Sequence, residues 1–327
     1  MDHRLTPAAL RKLRHALLTW YDEHRRELPW RRDADPYRVW VSEIMLQQTR
    51  VAAVLDHFAR FLHKFPTVQT LAAARESSVL AVWSGLGYYH RARRMHQAAK
   101  LIARARKGSF PRTAEEWREL PGIGCYTAAA IASIAFGEAV AVVDGNVERV
   151  LERISGKSEG RESTWQRAES LLDRGRPGDF NQAMMELGAT VCTPRVPQCP
   201  VCPLHVWCAS RGANNARPQS IRKRKQLAYG LARRNGSILL VQRAEDASLM
   251  AGMWELPALA DAQPNGDGPM ARLRHSITDT DYDVSVFAVP PGKFHSLEVN
   301  ARWFARRQWE RLPLTGLARK ILRRLPA

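Results

Sequence analysis

The sequence predicts a protein of two domains, an all-α domain followed by an α+β domain. Its 327 residues suffice for two hydrophobic cores. From about residue 5 to 190 the apolar residues follow a helical pattern broken by Pro and Gly, without strand alternation. Beyond residue 226, two apolar runs flank Asn235-Gly236, and "DYDVSVFAV" alternates with a period of two. Both features indicate strands and a hairpin.

The boundary between the domains is expected in a polar, basic stretch. "RGANNARPQSIRKRKQ" follows the last cysteine and contains proline, which is typical of an interdomain linker. The predicted domains are therefore 1–211 and 226–327, joined by a basic linker at 212–225. The second domain should end in a helix within "TGLARKILRRL".

The charge points to a polyanionic partner. Fifty Lys and Arg against 32 Asp and Glu give a net charge of +18, which favours nucleic acid. No stretch approaches the roughly 18 consecutive apolar residues of a membrane span, and "MDHRLTPAAL" lacks the apolar core of a signal peptide. We therefore expect a monomeric, cytoplasmic, nucleoid-associated protein without a membrane partner.

A lone acid, Glu43, stands among apolar residues in "SEIMLQQTR". Asp35-Pro36 has the features of an N-cap and a first helical residue, so 37–48 is predicted to be helical. Val39 and Trp40 then lie one turn before Glu43 on its own face, and such neighbours raise the pKa of a carboxyl. A protonated Glu43 could act as a general acid. The alternative is a structural ion pair with Arg38 or Arg50.

"ELPGIGCYTAAAIASIAFG" predicts a helix-hairpin-helix. Thr113 and Glu116 match a capping box for the first helix, and 126–136 forms the second, ended by Gly137. In the turn 121–124, two glycines allow backbone N–H groups to approach a phosphate, and the second helix adds its dipole. An ordinary helix–helix turn would not need both glycines, so DNA binding is the preferred interpretation.

Asp144 ends an apolar run in "AVAVVDGNVERV" and precedes a helical pattern. Its default role is an N-cap, worth about 1 kcal/mol. A catalytic role gains support from the helix-hairpin-helix before it, the cysteine cluster after it and the unusual acid at position 43.

Four cysteines crowd together near the end of the first domain, at 192, 199, 202 and 208. Four thiolates can hold a tetrahedral zinc ion or a [4Fe–4S] cluster. Only one pair has the two-residue gap of a zinc knuckle, so the spacing favours iron–sulfur while zinc stays open. The fifth cysteine, Cys125, is expected to be a packed thiol.

The motifs together resemble a known superfamily. Residues from about 20 to 208 are similar to the helix-hairpin-helix DNA glycosylases that include endonuclease III. "LPWR", "VWVSEIMLQQTRV", "WSGLGYYHRARR", "VDGNVERV", "NQAMMELGA" and the cysteine spacing resemble its adenine DNA glycosylase (MutY) branch. The resemblance implies base excision repair of double-stranded DNA, with removal of adenine mispaired with 8-oxoguanine or guanine. It also implies a [4Fe–4S] cluster on Cys192, Cys199, Cys202 and Cys208.

Position 126 separates the branches of this superfamily. The bifunctional enzymes carry a Schiff-base lysine there, whereas Tyr126 cannot form an imine. The resemblance therefore implies a monofunctional glycosylase. Two alternatives remain: a bifunctional pyrimidine-damage glycosylase and AP lyase of the endonuclease III type, and a non-enzymatic iron–sulfur protein that binds DNA.

The resemblance also implies roles for individual residues. Glu43 would protonate adenine, Asp144 would stabilise the sugar cation, and Tyr126 would contact the reacting site. Trp30, Arg31 and Glu186 are the candidates for the adenine pocket. Gln48 and Tyr88 would fill the gap left by the flipped base, with Leu46 and Thr49 beside them. The remaining candidates for substrate or DNA contact are Leu86, Gly87, Gly122, Gly124 and Asn146.

The second domain resembles the Nudix-like C-terminal domain of the same family through "LLVQR", "AGMWELP", "RHS" and "WF". A Nudix hydrolase needs a glutamate-rich helix to bind magnesium, and nothing after "WELP" supplies it, so a recognition role is expected instead. Family members commonly carry Phe-Ser-His after "RHS", whereas this chain has Ile277-Thr278-Asp279. Thr278 could replace the serine hydroxyl, but Asp279 brings a negative charge.

Overall fold

The structure, a computed structural model, describes residues 6–158, 160–211, 222–247, 249–259, 268–277, 279–292, 294 and 300–324. The chain divides into two compact units. The first unit comprises Met1–Phe58, Thr67–Ala72 and Gln97–Pro218, and the second comprises Ala59–Pro66, Ala73–His96 and Gln219–Ala327, counting described residues only.

Eleven helices occupy the described residues before the cysteine cluster. They are α1 (Pro7–His24), α2 (Pro36–Leu46), α3 (Val51–Lys64), α4 (Val68–Ala73), α5 (Glu76–Trp83), α6 (His90–Ala105), α7 (Ala114–Arg118), α8 (Cys125–Phe136), α9 (Gly145–Ser155), α10 (Arg161–Leu171) and α11 (Pro177–Thr190). Short 3₁₀ turns cover Pro29–Arg31, Cys199–Val201 and His205–Trp207. No strand occurs among the described residues of 6–211, which confirms the all-α prediction for this part of the chain.

Helix α2 begins as the sequence predicts and ends earlier than predicted. Asp35 is its N-cap and accepts a hydrogen bond from the Arg38 N–H at 2.8 Å. The helix ends at Leu46 instead of residue 48, because Gln47 leaves the helical conformation with ψ 113° and Gln48 then adopts a left-handed conformation with φ 55°. This turn separates α2 from α3 and leaves Gln48 exposed.

Helices α7 and α8 form the predicted helix-hairpin-helix. Thr113 and Glu116 make a reciprocal capping box at the start of α7. Gly122 has a φ of 80°, which a residue with a side chain rarely adopts, and Gly124 is the N-cap of α8. Gly137, with φ 72°, ends α8. The prediction for this motif is confirmed.

The core of the first unit is built by α1, α9, α10 and α11, with Leu17, Leu151 and Leu187 among its fully buried members. Gly188 allows α11 to approach α9 closely, since a Cβ at this position would lie 2.7 Å from the Cβ of Asn146. The start of α9, with Asp144 as its N-cap, is thereby held against α11.

Among its described residues after 221, the second unit contains seven strands in two sheets, followed by two helices. One sheet has the order β1 (Lys223–Leu231), β6 (Thr280–Ala288), β5 (Ala271–Ile277), with β1 parallel and β5 antiparallel to β6. In the other sheet, β3 (Ser237–Gln242) pairs with β2 (Arg233–Arg234), β4 (Trp254–Glu255) and β7 (Ala301–Ala305). Helices α12 (Arg306–Trp309) and α13 (Gly316–Arg324) follow.

The hairpin, the alternating strand and the terminal helix predicted for the second unit are confirmed. Strand β1, however, begins at Lys223, inside the predicted linker 212–225, of which residues 212–221 lie outside the described residues. Asn235 and Gly236 have φ of 50° and 70° and connect β2 to β3, as the Asn-Gly pair predicts. The alternating stretch forms β6, and the predicted terminal helix is α13. Leu314, Leu317 and Ile321 pack against Val284 and Val286 in one apolar core. Nowhere in the described chain does a helix have both the length and the apolar composition needed to cross a bilayer.

Candidate active site

A cavity of about 180 Å³ in the first unit is lined by residues from α2, α8, α9 and α11. Helix α2 packs against α8, and α11 packs against both α8 and α9, so residues far apart in sequence meet here. The cavity brings together nine of the residues singled out from the sequence: Trp30, Arg31, Glu43, Leu46, Thr49, Tyr126, Asp144, Asn146 and Glu186.

Glu43 is buried, with 6% of its surface exposed. Burial raises the pKa of its carboxyl to about 7, although the hydrogen bond from Tyr126 lowers it. The negative charge of Asp144 adds to the rise and Arg31 opposes it. Neither Arg38, which pairs with Asp33, nor Arg50 lines this cavity. Glu43 can therefore hold a proton near neutral pH at the cavity wall.

Tyr126 is the partner of Glu43. Its hydroxyl donates a hydrogen bond of 2.7 Å to Glu43 Oε2 and lies 3.5 Å from the Sδ of Met185. Burial and the nearby carboxylates Glu43 and Asp144 raise the pKa of the Tyr126 phenol, so the phenol stays protonated. The contact fixes the orientation of the Glu43 carboxyl towards the cavity.

Asp144 caps α9 and also faces the cavity. One carboxylate oxygen accepts hydrogen bonds from the backbone N–H groups of Asn146 at 2.9 Å and Val147 at 2.7 Å. The other oxygen accepts a bond of 3.0 Å from the Asn146 side-chain amide. The capping role predicted from the sequence is confirmed, and it holds a carboxylate rigidly at the rim of the cavity.

Glu186 also lines the cavity and forms a buried charge network with two arginines. Arg26 donates to both of its carboxylate oxygens, at 2.6 and 2.8 Å, and Arg31 donates to Oε2 at 2.9 Å. Burial alone would raise the pKa of Glu186, but the hydrogen bonds from the two arginines outweigh it and lower the pKa to about 2. Glu186 is therefore a permanent carboxylate, in contrast to Glu43.

Sequence reasoning missed several lining residues, including Arg26, Ser42, Gln182 and Met185. Arg26 belongs to a run of charged residues before Pro29 and is indistinguishable there from a solvated arginine. Gln182 and Met185 lie one turn or less from Glu186 on α11, so helical spacing from a known site residue could have indicated them.

Other predicted residues lie outside this cavity. Gln48 is exposed at the end of α2, and Gly122 and Gly124 lie in the hairpin between α7 and α8. Leu86, Gly87 and Tyr88 belong to the second unit. In that loop Tyr89 is buried, whereas Tyr88 is half-buried with φ 48°. Thr278 lies outside the described residues.

The four clustered cysteines, Cys192, Cys199, Cys202 and Cys208, line one separate cavity of the first unit. Burial raises the pKa of the Cys202 thiol to about 11, and the other cysteines add to the rise because each further thiolate is a like charge. Arg153 donates hydrogen bonds to the Cys192 sulfur at 3.3 Å and to the carbonyl of Thr193 at 2.8 Å. Among described residues, no group of three His, Cys, Asp or Glu side chains converges on a single-ion site.

Arg149 connects this cysteine loop to the active-site cavity. Its guanidinium donates to the carbonyl of Cys192 at 2.9 Å and to the side-chain oxygen of Asn146 at 2.9 Å. Asn146 in turn donates to Asp144. An unbroken series of hydrogen bonds thus runs from the first cysteine of the loop to the carboxylate at the cavity.

The expectation for Cys125 was wrong. Its side chain is exposed instead of packed. Cys125 is the first residue of α8, directly after Gly124, where a side chain leaves the hairpin towards solvent.

Part of the chain matches a family of DNA repair proteins. A sequence model described as "HhH-GPD superfamily base excision DNA repair protein" matches residues 41–174. A solved structure of a thermostable thymine-DNA glycosylase is 30% identical, with a TM-score of 0.58 over 62% of this chain and 96% of that one. The chain belongs to the HhH-GPD superfamily. The matched segment contains Glu43, Tyr126 and Asp144.

Two curated relatives share more of the sequence of this chain. The adenine DNA glycosylase of Homo sapiens is 49% identical over 219 residues, covering 62% of this chain and 40% of that protein. The adenine DNA glycosylase of Arabidopsis thaliana is 40% identical over 300 residues, covering 76% of this chain and 47% of that protein. The chain thus spans less than half the length of these two relatives.

Proposed function

We propose that this protein is a monofunctional adenine DNA glycosylase of base excision repair. The observation that carries the proposal is the pairing of two unlike acids in one cavity. Glu43 is a buried acid whose pKa is raised to about 7, and Asp144 is a carboxylate held by backbone N–H groups. The similarity to adenine DNA glycosylases supports the choice of base.

The reaction requires a base outside the helix stack. A base that flips out of the duplex into a pocket loses its stacking, which costs a few kcal/mol. This cost is lower for a mispaired base. The cavity of about 180 Å³ is smaller than the pockets of about 300–1,000 Å³ that bind drug-sized ligands, a size that suits a single base. Trp30 supplies an apolar wall, and Glu186 with Arg31 presents acceptors and donors in fixed positions.

Breaking the N-glycosidic bond needs a proton on the leaving base and compensation of charge on the sugar. Glu43 donates its proton to N7 of adenine, so that the base leaves as a neutral molecule. Asp144 stabilises the oxocarbenium ion that develops at the sugar, as one carboxylate does in retaining glycosidases. The carboxylate form of Glu43 is left with the Tyr126 hydroxyl as its hydrogen-bond donor.

Single-turnover release of adenine tests this proposal. Duplexes carrying 8-oxoguanine, guanine or thymine opposite adenine are incubated with excess enzyme, and free base is measured. Thymine release from a G:T duplex is measured in parallel, because the similar solved protein is a thymine-DNA glycosylase. Borohydride trapping checks for a lyase, which Tyr126 should not support. Absence of adenine release from all three duplexes would sink the proposal.

The pH dependence of release should report on Glu43. Because Glu43 is active while protonated, the single-turnover rate is expected to fall as the pH rises through about 7. The Tyr126 hydrogen bond lowers this pKa, so Tyr126→Phe should move the falling limb to higher pH. Rates measured from pH 5 to 9 on the 8-oxoguanine duplex decide the point. If the pH at which the rate falls is the same in Tyr126→Phe as in the wild type, the fall does not report on Glu43.

We also propose that the four-cysteine cavity holds a [4Fe–4S] cluster. Four cysteines lining one cavity fit the ligand set of such a cluster, and the Arg153 guanidinium beside the Cys192 sulfur suits thiolate charge. When bound, the cluster supplies metal–thiolate bonds that cross-link the loop 192–208. Arg153 and Arg149 hold that loop against α9 and α11 through backbone carbonyls, which supports a structural role.

Cys199→Ser is expected to abolish iron binding and to weaken DNA affinity more than it alters the rate of base release. The reason is that three thiolates no longer complete the ligand set. Iron content and duplex affinity are measured on anaerobically purified protein. Cys125→Ser is the matched control, since Cys125 is exposed and lies outside the cavity. Stoichiometric zinc without iron in the wild type would overturn the choice of cofactor.

The second unit is proposed to be a Nudix-like recognition domain without pyrophosphate hydrolysis. Members of the resembled family commonly carry Phe-Ser-His after "RHS", in a loop that reads 8-oxoguanine; the corresponding β5–β6 hairpin of this chain contains Asp279. Thr280 donates a hydrogen bond of 3.0 Å to Asp279, and the Lys223 ammonium lies 3.4 Å from its other oxygen. Both contacts lower the pKa of Asp279, so this side chain is a carboxylate with a cationic partner.

Asp279→His is expected to raise the preference for 8-oxoguanine over guanine opposite adenine by about a few-fold to tenfold, the effect of one added hydrogen bond. The ratio of release rates on the two mispairs is measured at one fixed salt concentration, because phosphate binding depends on salt. Asp279→Asn is the control that removes the charge without adding an imidazole. An unchanged ratio in Asp279→His would mean that this hairpin does not read the lesion.

A further inference from the structure

A second cavity, of about 1000 Å³, lies in the second unit and shares no lining residue with the active-site cavity. Its walls come from the β2–β3 hairpin, α12 and α13. This cavity is here called the arginine cleft. It is lined by six arginines: Arg233, Arg234, Arg306, Arg319, Arg323 and Arg324. Glu310 is the single acid among the described lining residues, and it is paired with Arg306 at 3.2 Å.

Two of these arginines are held in place by neutral partners. Arg319 donates to the Ser84 hydroxyl at 2.9 Å and to the carbonyl of Leu312 at 3.3 Å. Arg234 lies over the ring of Trp303, 4.7 Å from its centroid. These contacts orient the guanidinium groups without neutralising them, so their charge is available to an anion.

The electrostatic environment of the cleft is unfavourable for the protein alone. Burial lowers the pKa of the Arg319 guanidinium. The charges of Arg323 and Arg60 also lower this pKa, while Tyr89 and Glu310 oppose the shift without cancelling it. Guanidinium groups bind phosphate oxygens in a bidentate manner, and such binding relieves this repulsion. The cleft therefore has the chemistry of a site for several phosphate groups.

We propose that the arginine cleft binds backbone phosphates of duplex DNA, as a second contact beside that of the glycosylase unit; this rests on the proposed function. A phosphodiester backbone fits better than a free nucleotide, because the cleft offers little for a base to stack on. Trp309 packs against the apolar core of the unit, and the face of Trp303 is covered by Arg234.

The salt dependence of DNA binding tests the proposal. The triple variant Arg306→Gln, Arg323→Gln, Arg324→Gln removes three exposed charges. Each lost phosphate contact should reduce the slope of log K against log salt by about 0.9, so a slope shallower by about 2.7 is expected. Fluorescence anisotropy with a fully paired duplex and with an A:8-oxoguanine duplex should give the same reduction, since backbone contacts do not read bases.

A second triple variant provides the matched control. Arg302→Gln, Arg307→Gln, Arg311→Gln removes three exposed arginines from the same segment, none of which lines the cleft. The control should keep the wild-type slope. Equal slopes in the two triple variants, or an unchanged slope in the cleft variant, would overturn the proposal. Thermal denaturation of both variants verifies folding.

Two further measurements separate the possible outcomes. Binding of ATP by equilibrium dialysis that is lost only in the cleft variant, with an unchanged DNA slope, would identify a nucleotide site and overturn the DNA assignment. Single-turnover adenine release by the wild type tests the glycosylase function independently. If the wild type does not release adenine but the cleft variant still has a shallower salt slope, the glycosylase function is refuted and the DNA contact of the cleft is kept.

Discussion

Glu43→Gln is expected to lower the single-turnover rate of adenine release by about 10²–10⁴-fold, the usual contribution of a general acid. Glutamine preserves the size of the side chain, and its amide oxygen can still accept the hydrogen bond from Tyr126. What is lost is the transferable proton. Affinity for the mispaired duplex, measured separately, should be retained because the cavity keeps its shape.

The control for this substitution is Glu116→Gln, which makes the same chemical change in the first unit outside the cavity. Glutamine is accepted at this position of a capping box, so helix α7 should remain intact. Release by Glu43→Gln within a few-fold of the wild-type rate would exclude the general-acid role. Glu43 would then be a structural acid whose partner is Tyr126.

Local signals in the sequence predicted the beginnings and types of elements well. Asp35-Pro36 and the Thr113–Glu116 pair act within one helical turn, so their geometry depends little on the rest of the chain. The same holds for Asn235-Gly236, whose left-handed residues determine the turn. The end of α2 depended instead on the conformations of Gln47 and Gln48, which no nearby Gly or Pro signalled.

The candidate site was predictable in part. Val39 and Trp40 on the same helix indicated that Glu43 would be buried, and the structure agrees. Its hydrogen-bond partner Tyr126 is 83 residues away, and only the family resemblance connected the two. Arg26 and Glu186, 160 residues apart, form a pair that a periodic pattern cannot reveal, because periodicity indicates a buried face and not its partner.

The sequence also did not predict which distant strands pair with each other. Strand β1 lies parallel to β6, with Lys223 opposite Thr280, although the segments are far apart in the chain. Alternating apolar residues identified β6 as a strand but carried no information about its neighbours. The exposure of Cys125 was likewise not predicted. Cys125 is the first residue of α8, and its exposure depends on how the hairpin is oriented.

Asp144→Asn is expected to reduce adenine release by about 10²–10³-fold, the cost of removing one preorganised electrostatic contact to a transition state. The substitution separates the two roles of this residue. Asparagine is as good an N-cap as aspartate, so its side-chain oxygen can still accept from the N–H groups of Asn146 and Val147. The negative charge that would stabilise the sugar cation is absent.

Asp35→Asn is the matched control for this experiment, because Asp35 caps α2 with a bond to the Arg38 N–H and lies outside the cavity. Both variants should unfold at nearly the wild-type temperature, whereas Asp144→Ala should lose about 0.5–2 kcal/mol of stability with the cap. If only the charge of Asp144 matters for chemistry, Asp144→Asn is inactive but stable and Asp35→Asn is active and stable. Near-normal release by Asp144→Asn would reduce Asp144 to a helix cap and require another group to stabilise the oxocarbenium ion.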